Sequence, residues 1–446
     1  MVEVSIIVPT HNSEKYIGEC LKHLIYQSFS GIEVLCVDSS QDQTQKIIKE
    51  YAAKDKRIRF ITDKNTSYGY KLNRGIKEAK GEYIAFCDSD DYYSEKFVER
   101  LLKKIKETDV DFVKCNYIGF AEYPAYLYQV EYLRSVTEGD YQETIELSIK
   151  EKGRYLVGRD IWTGLYKKEF LIKNQILLHE SEGASFQDTG FGILSAVYAE
   201  EICFIKDSLY YYRLDNVGSS VKANNKYLCI CEEMEWIKKQ MQKRGLWEKE
   251  QQKLYYTYKL DSYFWNIHRL PVEYQEKFRS VILDEIKKEY SENKEFMCQM
   301  ADYQKKQLAY LEGKEKEVKA YDAWIETLKN YVRLVEKILD LNIDIVLFGI
   351  SKIGKEILAL QAIKEKKTIV AVCDNDKEKW GKEIEGYQIL SPEKVIRDYK
   401  EKRYIIAANK KHVEEIKRQL RGYGILEEQI VEITDFPLKG QILELL

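Results

Sequence analysis

Regular alternation of short apolar runs with amphipathic segments over residues 1–115 constrains this chain more than any other feature. The runs are Ser5–Val8, Glu33–Val37, Arg57–Ile61, Tyr83–Cys87 and Asp111–Cys115. Runs this short and this apolar suit strands buried on both faces. Between them, apolar residues recur at helical spacing. The four sets are Ile17, Cys20, Leu21, Leu24 and Ile25; Ile47, Ile48 and Tyr51; Leu72, Ile76 and Ala79; and Phe97, Leu101, Leu102 and Ile105. Gly81 closes the third set. Strand-helix alternation predicts a mostly parallel sheet with helices on both faces, an α/β fold. Ligands of such sheets sit beyond the carboxyl ends of the strands.

The rest of the chain is organised differently. Residues 116–220 are less regular and rich in Tyr. Residues 225–340 read as helices, with Leu254, Tyr258, Asp261, Trp265 and His268 on one face. Lys314–Leu341 reads as a long charged linker helix. A second α/β unit starts near Asp344, with strands Ile345–Phe348, Thr368–Cys373 and Arg403–Ala407. Domains are therefore expected at 1–222, 223–340 and 341–446. A length of 446 residues suits two or three domains.

Composition excludes some classes. The chain is 44% hydrophobic and 33% charged, enough apolar material for real cores. Its net charge is −3, so no basic surplus points to a nucleic-acid partner. No apolar stretch approaches the roughly 18 residues of a membrane span. Val4–Val8 is too short for the apolar core of a signal peptide, so a cytoplasmic location is expected. The nine cysteines are scattered, with Cys229 and Cys231 the only close pair and no C-x-x-C. Reduced thiols are expected rather than a zinc site or a disulfide framework.

Three loops at strand carboxyl ends carry the polar chemistry: Val8–Asn12, Val37–Asp42 and Cys87–Asp91. Asp88 and Asp90 leave a buried strand two residues apart. Carboxylates so placed repel one another unless a cation joins them. Mg²⁺ and Mn²⁺ bind through one or two carboxylates plus substrate phosphates. The alternative is an acidic turn capping a helix that begins near Ser94.

The ordered set Ser5–Asn12, Val37–Thr44, Asn73-Arg74-Gly75-Ile76, Ala79–Ile84 and Asp88-Ser89-Asp90-Asp91 resembles family-2 glycosyltransferases of the GT-A fold. The resemblance implies transfer of a sugar from a nucleotide-diphosphate donor to a saccharide or lipid-linked acceptor, in polysaccharide or glycoconjugate synthesis. It implies that Pro9, Thr10, His11, Asp38, Asn73, Asp88 and Ser89 contact the nucleotide sugar. Asp38 would hold the base or ribose, and Asp88 and Asp90 would hold Mn²⁺ or Mg²⁺. Two positions depart from the family pattern: Val37 stands where a first acid often sits, and Leu72 where many relatives have Arg. Both bear on the identity of the nucleotide.

The family's base usually follows the metal loop, at the start of a helix. Ser185-Phe186-Gln187-Asp188-Thr189-Gly190 fits, preceded by Ile161–Tyr166, and makes Asp188 the catalytic candidate for an inverting transfer. The other reading of Asp188 is an N-cap for a helix over Gly190–Ala199. Tyr211–Ser220 resembles the family's closing loop, with Arg213 either on the diphosphate or in an ion pair. The aromatic helix around Tyr255, Tyr256, Tyr263 and Trp265 reads as core or as an acceptor platform. A peripheral contact with the inner face of the membrane would follow from a lipid-linked acceptor.

At the C-terminus, Gly349-x-Ser351-x-x-Gly354 followed by Asp374 resembles small Rossmann-like domains attached to sugar-modifying proteins. Ser351 stands where a dinucleotide fingerprint needs its second Gly. Two other functions compete with the transferase: a non-catalytic nucleotide-sugar-binding protein, and an NAD-linked sugar-modifying enzyme acting through the C-terminal unit.

Overall fold

A computed structural model describes residues 2–123, 126–132, 141, 145–146, 160–219, 223–292, 300, 302–314, 344–359, 369–408 and 410–433. The chain divides into two compact units. One comprises Met1–Gly119 with Glu131–Val318, the other Phe120–Val130 with Lys319–Leu446.

The first unit opens with the expected alternation. It runs β1 (Val4–Thr10), α1 (Ile17–Ile25), β2 (Ile32–Asp38), α2 (Thr44–Lys54), β3 (Ile58–Thr62), α3 (Tyr68–Glu78) and β4 (Tyr83–Phe86). Every residue of β1, β2 and β4 is buried, as strands covered on both faces require. Strand β1 pairs in parallel with β2 and β4, and β2 with β3. Helix α3 starts at Tyr68, where Ser67 N-caps it by accepting the Tyr70 N–H at 3.2 Å.

Beyond β4 the expected parallel order gives way to a mixed sheet. A two-residue strand β5 (Tyr92–Tyr93) and helix α4 (Phe97–Thr108) precede the long β6 (Phe112–Tyr123). Then come β7 (Tyr126–Tyr132), β8 (Ile145–Glu146), β9 (Gly164–Lys167), α5 (Lys168–Lys173), α6 (Gln187–Tyr198) and β10 (Glu201–Arg213). The sheet runs β3-β2-β1-β4-β9-β6-β10-β5, with β7 on β6 and β8 on β10. Strand β9 is antiparallel to both β4 and β6. Strands past residue 110 are no longer each followed by a crossover helix, and antiparallel neighbours need none.

Helices α7 (Cys229–Lys243), α8 (Lys249–Arg269), α9 (Val272–Glu292) and α10 (Asp302–Leu311) follow. In α8, Tyr255, Tyr256, Lys259, Leu260, Tyr263, Asn266 and Ile267 are buried, so the core reading holds for three of its aromatics, while Leu254, Tyr258, Asp261, Trp265 and His268 are half-buried. Lys259 is tolerated inside because Glu285 and Glu289 of α9 both reach its ammonium. The linker helix expected to Leu341 lies, from residue 315 on, outside the described residues. No helix among the described residues is long and apolar enough to cross a membrane.

The second unit carries β11 (Ile345–Phe348), α11 (Lys352–Ala359), β12 (Ile369–Cys373), β13 (Glu383–Ile384), β14 (Tyr387–Leu390), α12 (Pro392–Tyr399), β15 (Arg403–Ala407), α13 (Lys410–Gly422) and β16 (Ile430–Ile433). Its sheet order is β13-β14-β12-β11-β15-β16, parallel except for the β13-β14 pair. Ile345 and Leu347 join one apolar cluster, Val346 and Phe348 another, so both faces of β11 are covered.

Candidate active site

Parallel pairing brings the ends of β1, β2 and β4 to one edge of the sheet, with Thr10 in register with Asp38. The first two loops are locked together there. Asp38 is fully buried and accepts from Thr10 Oγ1 at 2.6 Å, Ser40 Oγ at 2.6 Å and the Ser40 N–H at 3.0 Å. Pro9 and Thr10 are likewise buried, whereas His11 is exposed with its Nδ1 3.1 Å from Ser39 Oγ. Asn12, at φ 51°, donates its N–H to Ser40 Oγ. Ser13 joins the third loop through its hydroxyl, 2.7 Å from Ser89 Oγ.

Lys71, which sequence reasoning missed, reaches from α3 to the Thr10 carbonyl at 2.9 Å. Burial draws its ammonium down to about 8, although the charges of Asp38 and Asp63 oppose the shift. A lysine among apolar positions of a helix gives little warning in sequence that it turns inward.

The acidic loop sorts its three carboxylates into different tasks. Asp91 is buried and holds scaffold: its Oδ2 accepts from Tyr210 Oη at 2.6 Å and its Oδ1 from the Arg213 N–H at 2.7 Å. Asp88 and Asp90 are half-buried. Asp88 Oδ1 accepts from Tyr68 Oη at 3.0 Å, and Asp90 Oδ2 from Asn216 Nδ2 at 2.7 Å. Helix α4 begins only at Phe97, after β5, so the acidic turn does not cap it. Burial, and then the charge of Asp90, pushes Asp88 up to about 7. Burial also raises Asp90 and Asp91.

Crowded carboxylates held by neutral donors favour a cation. Among the described residues no group of three or more His, Cys, Asp or Glu side chains converges to hold an ion. Two carboxylates alone would leave most ligands of a hard divalent ion to substrate and water.

Asp188 lies in the first turn of α6, not at its cap. Phe186 is the N-cap, at φ 65°, and the Asp188 carboxylate accepts the N–H of Thr189 at 2.9 Å. Asp188 is half-buried, and its charge acts on both Asp88 and Tyr68. Buried Gln187 shapes the preceding loop by accepting the Ser185 N–H at 2.6 Å and donating to Ser181 Oγ and the Gly183 carbonyl. Asn73 clamps α3 to the same loop: its amide exchanges hydrogen bonds with the N–H and carbonyl of Leu178 and donates to Glu180, all at 2.9 Å.

Arg213 is 3% exposed, and its guanidinium is taken up within the protein. It pairs with Glu19 and Asp215, donates to the Asp90 carbonyl at 3.0 Å, and lies over the Tyr16 ring. Trp162 stacks on Tyr212 behind this loop. In the second unit, Asp374 is likewise satisfied internally, by the Ile350 N–H at 2.6 Å and Lys379 Nζ at 2.9 Å.

Residues 5–154 match the family model described as glycosyl transferase family 2. The uncharacterized glycosyltransferase EpsJ of Bacillus subtilis (strain 168) is 33% identical over 213 residues, 47% of this chain and 60% of that protein. The glycosyltransferase GlyG of Streptococcus pneumoniae serotype 4 is 32% identical over 218 residues, 47% of this chain and 70% of that protein. The chain belongs to glycosyltransferase family 2. A poly(ribitol-phosphate) β-N-acetylglucosaminyltransferase of Staphylococcus aureus, TarS, is 30% identical over 234 residues, 50% of this chain and 37% of that protein. The chain thus spans between about a third and 70% of the length of these family members. Residues 341–431 match a second model, described as C2185-like, N-terminal.

Proposed function

We propose that this family-2 member transfers a sugar from a nucleotide-diphosphate donor to an acceptor hydroxyl with inversion, on a GT-A scaffold. The observation that carries the reading is geometric: Tyr68 donates its hydroxyl to Asp88 of the acidic loop at 3.0 Å and its backbone N–H at 2.7 Å to the carbonyl of Gly183, in the segment that leads to half-buried Asp188 on the first turn of α6. That link supports a base close to the leaving-group site. Asp188 takes the acceptor hydroxyl's proton as that oxygen bonds to the anomeric carbon. The bond from that carbon to the diphosphate oxygen breaks, and the nucleoside diphosphate leaves with the electron pair. Asp88 and Asp90 would hold Mn²⁺ or Mg²⁺. Charge neutralisation of the leaving diphosphate is what that ion supplies when bound.

The nucleotide takes the floor formed by the β1 and β2 loops. There Thr10, Asp38 and Lys71 fix the backbone, and His11 is among the exposed side chains. Pro9, Asn73 and Ser89 act as frame, and Arg213 steadies the acidic loop from behind. The named activity of TarS, transfer of N-acetylglucosamine to poly(ribitol phosphate), supports a hydroxyl-bearing polymer as acceptor; a saccharide acceptor in cell-surface polymer synthesis is our reading for this chain. A lipid-linked acceptor would bring the chain to the inner face of the membrane.

For residues 341–446 we infer a Rossmann-like unit following a helical region at 223–340. The order β14-β12-β11-β15-β16 and the tight turn at Gly349, φ 103°, support it. Engagement of Asp374 by Ile350 and Lys379 argues against a nicotinamide role.

The test is release of nucleoside diphosphate from a panel of nucleotide sugars, with Mn²⁺ and a saccharide acceptor. Binding of donors without release in any combination would support a non-catalytic nucleotide-sugar-binding protein instead.

A further inference from the structure

Tyr68 was not among the residues that the sequence marked, yet it is bonded both to the acidic loop and to the segment before Asp188. Its hydroxyl donates to Asp88 Oδ1 at 3.0 Å, and its backbone N–H donates to the Gly183 carbonyl at 2.7 Å. We propose that Tyr68 is a positioning residue that orients the Asp88 carboxylate for the cation and registers it against the segment leading to Asp188. The inference rests on the function proposed above, and it assigns a role within that site to a residue outside the D-x-D pair.

The backbone of Tyr68 is fixed by contacts independent of its ring. A Cβ on neighbouring Gly69 would stand 1.9 Å from the His179 carbonyl oxygen, so the helix start and the 178–183 segment touch backbone to backbone. Asn73, farther along α3, brackets Leu178 through both its N–H and its carbonyl. The start of α3 is thereby held to the loop before Asp188, and the phenol extends from that fixed point to Asp88. Carboxylate and base are therefore referred to one frame.

The chemistry of the donor also matters. A phenol orients one carboxylate oxygen and leaves the charge in place, whereas an ammonium there would cancel the charge a cation needs. Among the described residues Asp88 Oδ2 has no protein donor, so the second oxygen remains for a ligand. Groups that hold a metal-binding carboxylate in this way commonly tune affinity about 10- to 100-fold.

Tyr68→Phe removes the hydroxyl and keeps the ring. Binding of Mn²⁺ alone to the full chain is to be followed by the electron paramagnetic resonance signal of the free ion, alongside circular dichroism and thermal unfolding. The expected result is an apparent Kd for Mn²⁺ raised about tenfold at unchanged Tm, with the half-saturating Mn²⁺ of turnover raised in parallel. At saturating Mn²⁺, kcat should stay within about threefold of the wild type. An Mn²⁺ affinity equal to that of the wild type would overturn the assignment. So would a loss of kcat that saturating Mn²⁺ does not restore, which would put Tyr68 on the sugar or on Asp188. Should the wild-type chain bind Mn²⁺ yet release no nucleotide from any donor, the transferase reading falls while the binding comparison still decides the role of Tyr68.

Discussion

Asn216 holds Asp90 from the far side of the acidic loop: its Nδ2 donates to Asp90 Oδ2 at 2.7 Å, across 126 residues of sequence. The backbone after β10 is thereby tied to one of the two carboxylates proposed to hold a cation. Asn216→Ala should raise the half-saturating Mn²⁺ concentration about tenfold and leave Tm within a degree or two. Asp90→Asn should abolish metal-stimulated turnover. Equal metal dependence in Asn216→Ala and the wild type would make the contact purely structural.

Asp188→Asn preserves size and the bond to the Thr189 N–H while removing the basic oxygen. Donor affinity, read by isothermal titration, should stay within about twofold, while kcat falls about 10²- to 10⁴-fold. Full turnover by this variant would move the base to another residue.

Gly69 and Gly75 separate two kinds of close approach. A Cβ on Gly69 meets a backbone oxygen, that of His179, at 1.9 Å, whereas on Gly75 it meets the Ile7 side chain at 2.3 Å. A side chain yields by rotation and a hydrogen-bonded backbone does not. Gly69→Ala should cost about 2–3 kcal/mol in urea unfolding and Gly75→Ala about 1–2. The reverse order would mean that the 178–183 segment adapts easily.

His268 provides a pH test remote from the acidic loop. Burial, assisted by the Arg279 charge, lowers it from 6.5 to about 4, although its Nδ1 contact with the Phe264 carbonyl opposes the shift. Between these values the unfolded chain takes up a proton that the folded chain refuses, so stability falls as pH drops from about 6.5 towards 4. From pH 7 to pH 5 this amounts to about 2 kcal/mol. His268→Phe should flatten the dependence by that amount, measured as the change in urea midpoint at the two pH values. An unchanged slope would mean that His268 titrates normally in the folded chain.

Much of the frame was legible from sequence because buried strands and amphipathic helices leave periodic marks. The first four strands, and strands β11, β12 and β15 of the second unit, lie within a residue or two of where their apolar runs begin and end. The second half of the first sheet was not legible, since β9 and β10 join it by antiparallel pairing that no local pattern announces. The aromatic core of α8 was legible at Tyr255, Tyr256 and Tyr263, but buried Lys259 was not, because it counts as polar in any periodicity and only Glu285 and Glu289 of α9 allow it inside.

By itself the sequence determined the inventory: acidic residues at a strand's carboxyl end, a Gln-Asp step at the start of a helix, and membership of glycosyltransferase family 2. Only the tertiary structure decided which polar residues are bound up inside the protein and which stay partly open. Asp38, Asp91 and Arg213 spend their hydrogen bonds inward, while Asp88, Asp90 and Asp188 remain half-buried. The physical reason is that a carboxylate's role depends on which donors reach it. Here Tyr68, Tyr210 and Asn216 arrive from elements distant in the chain.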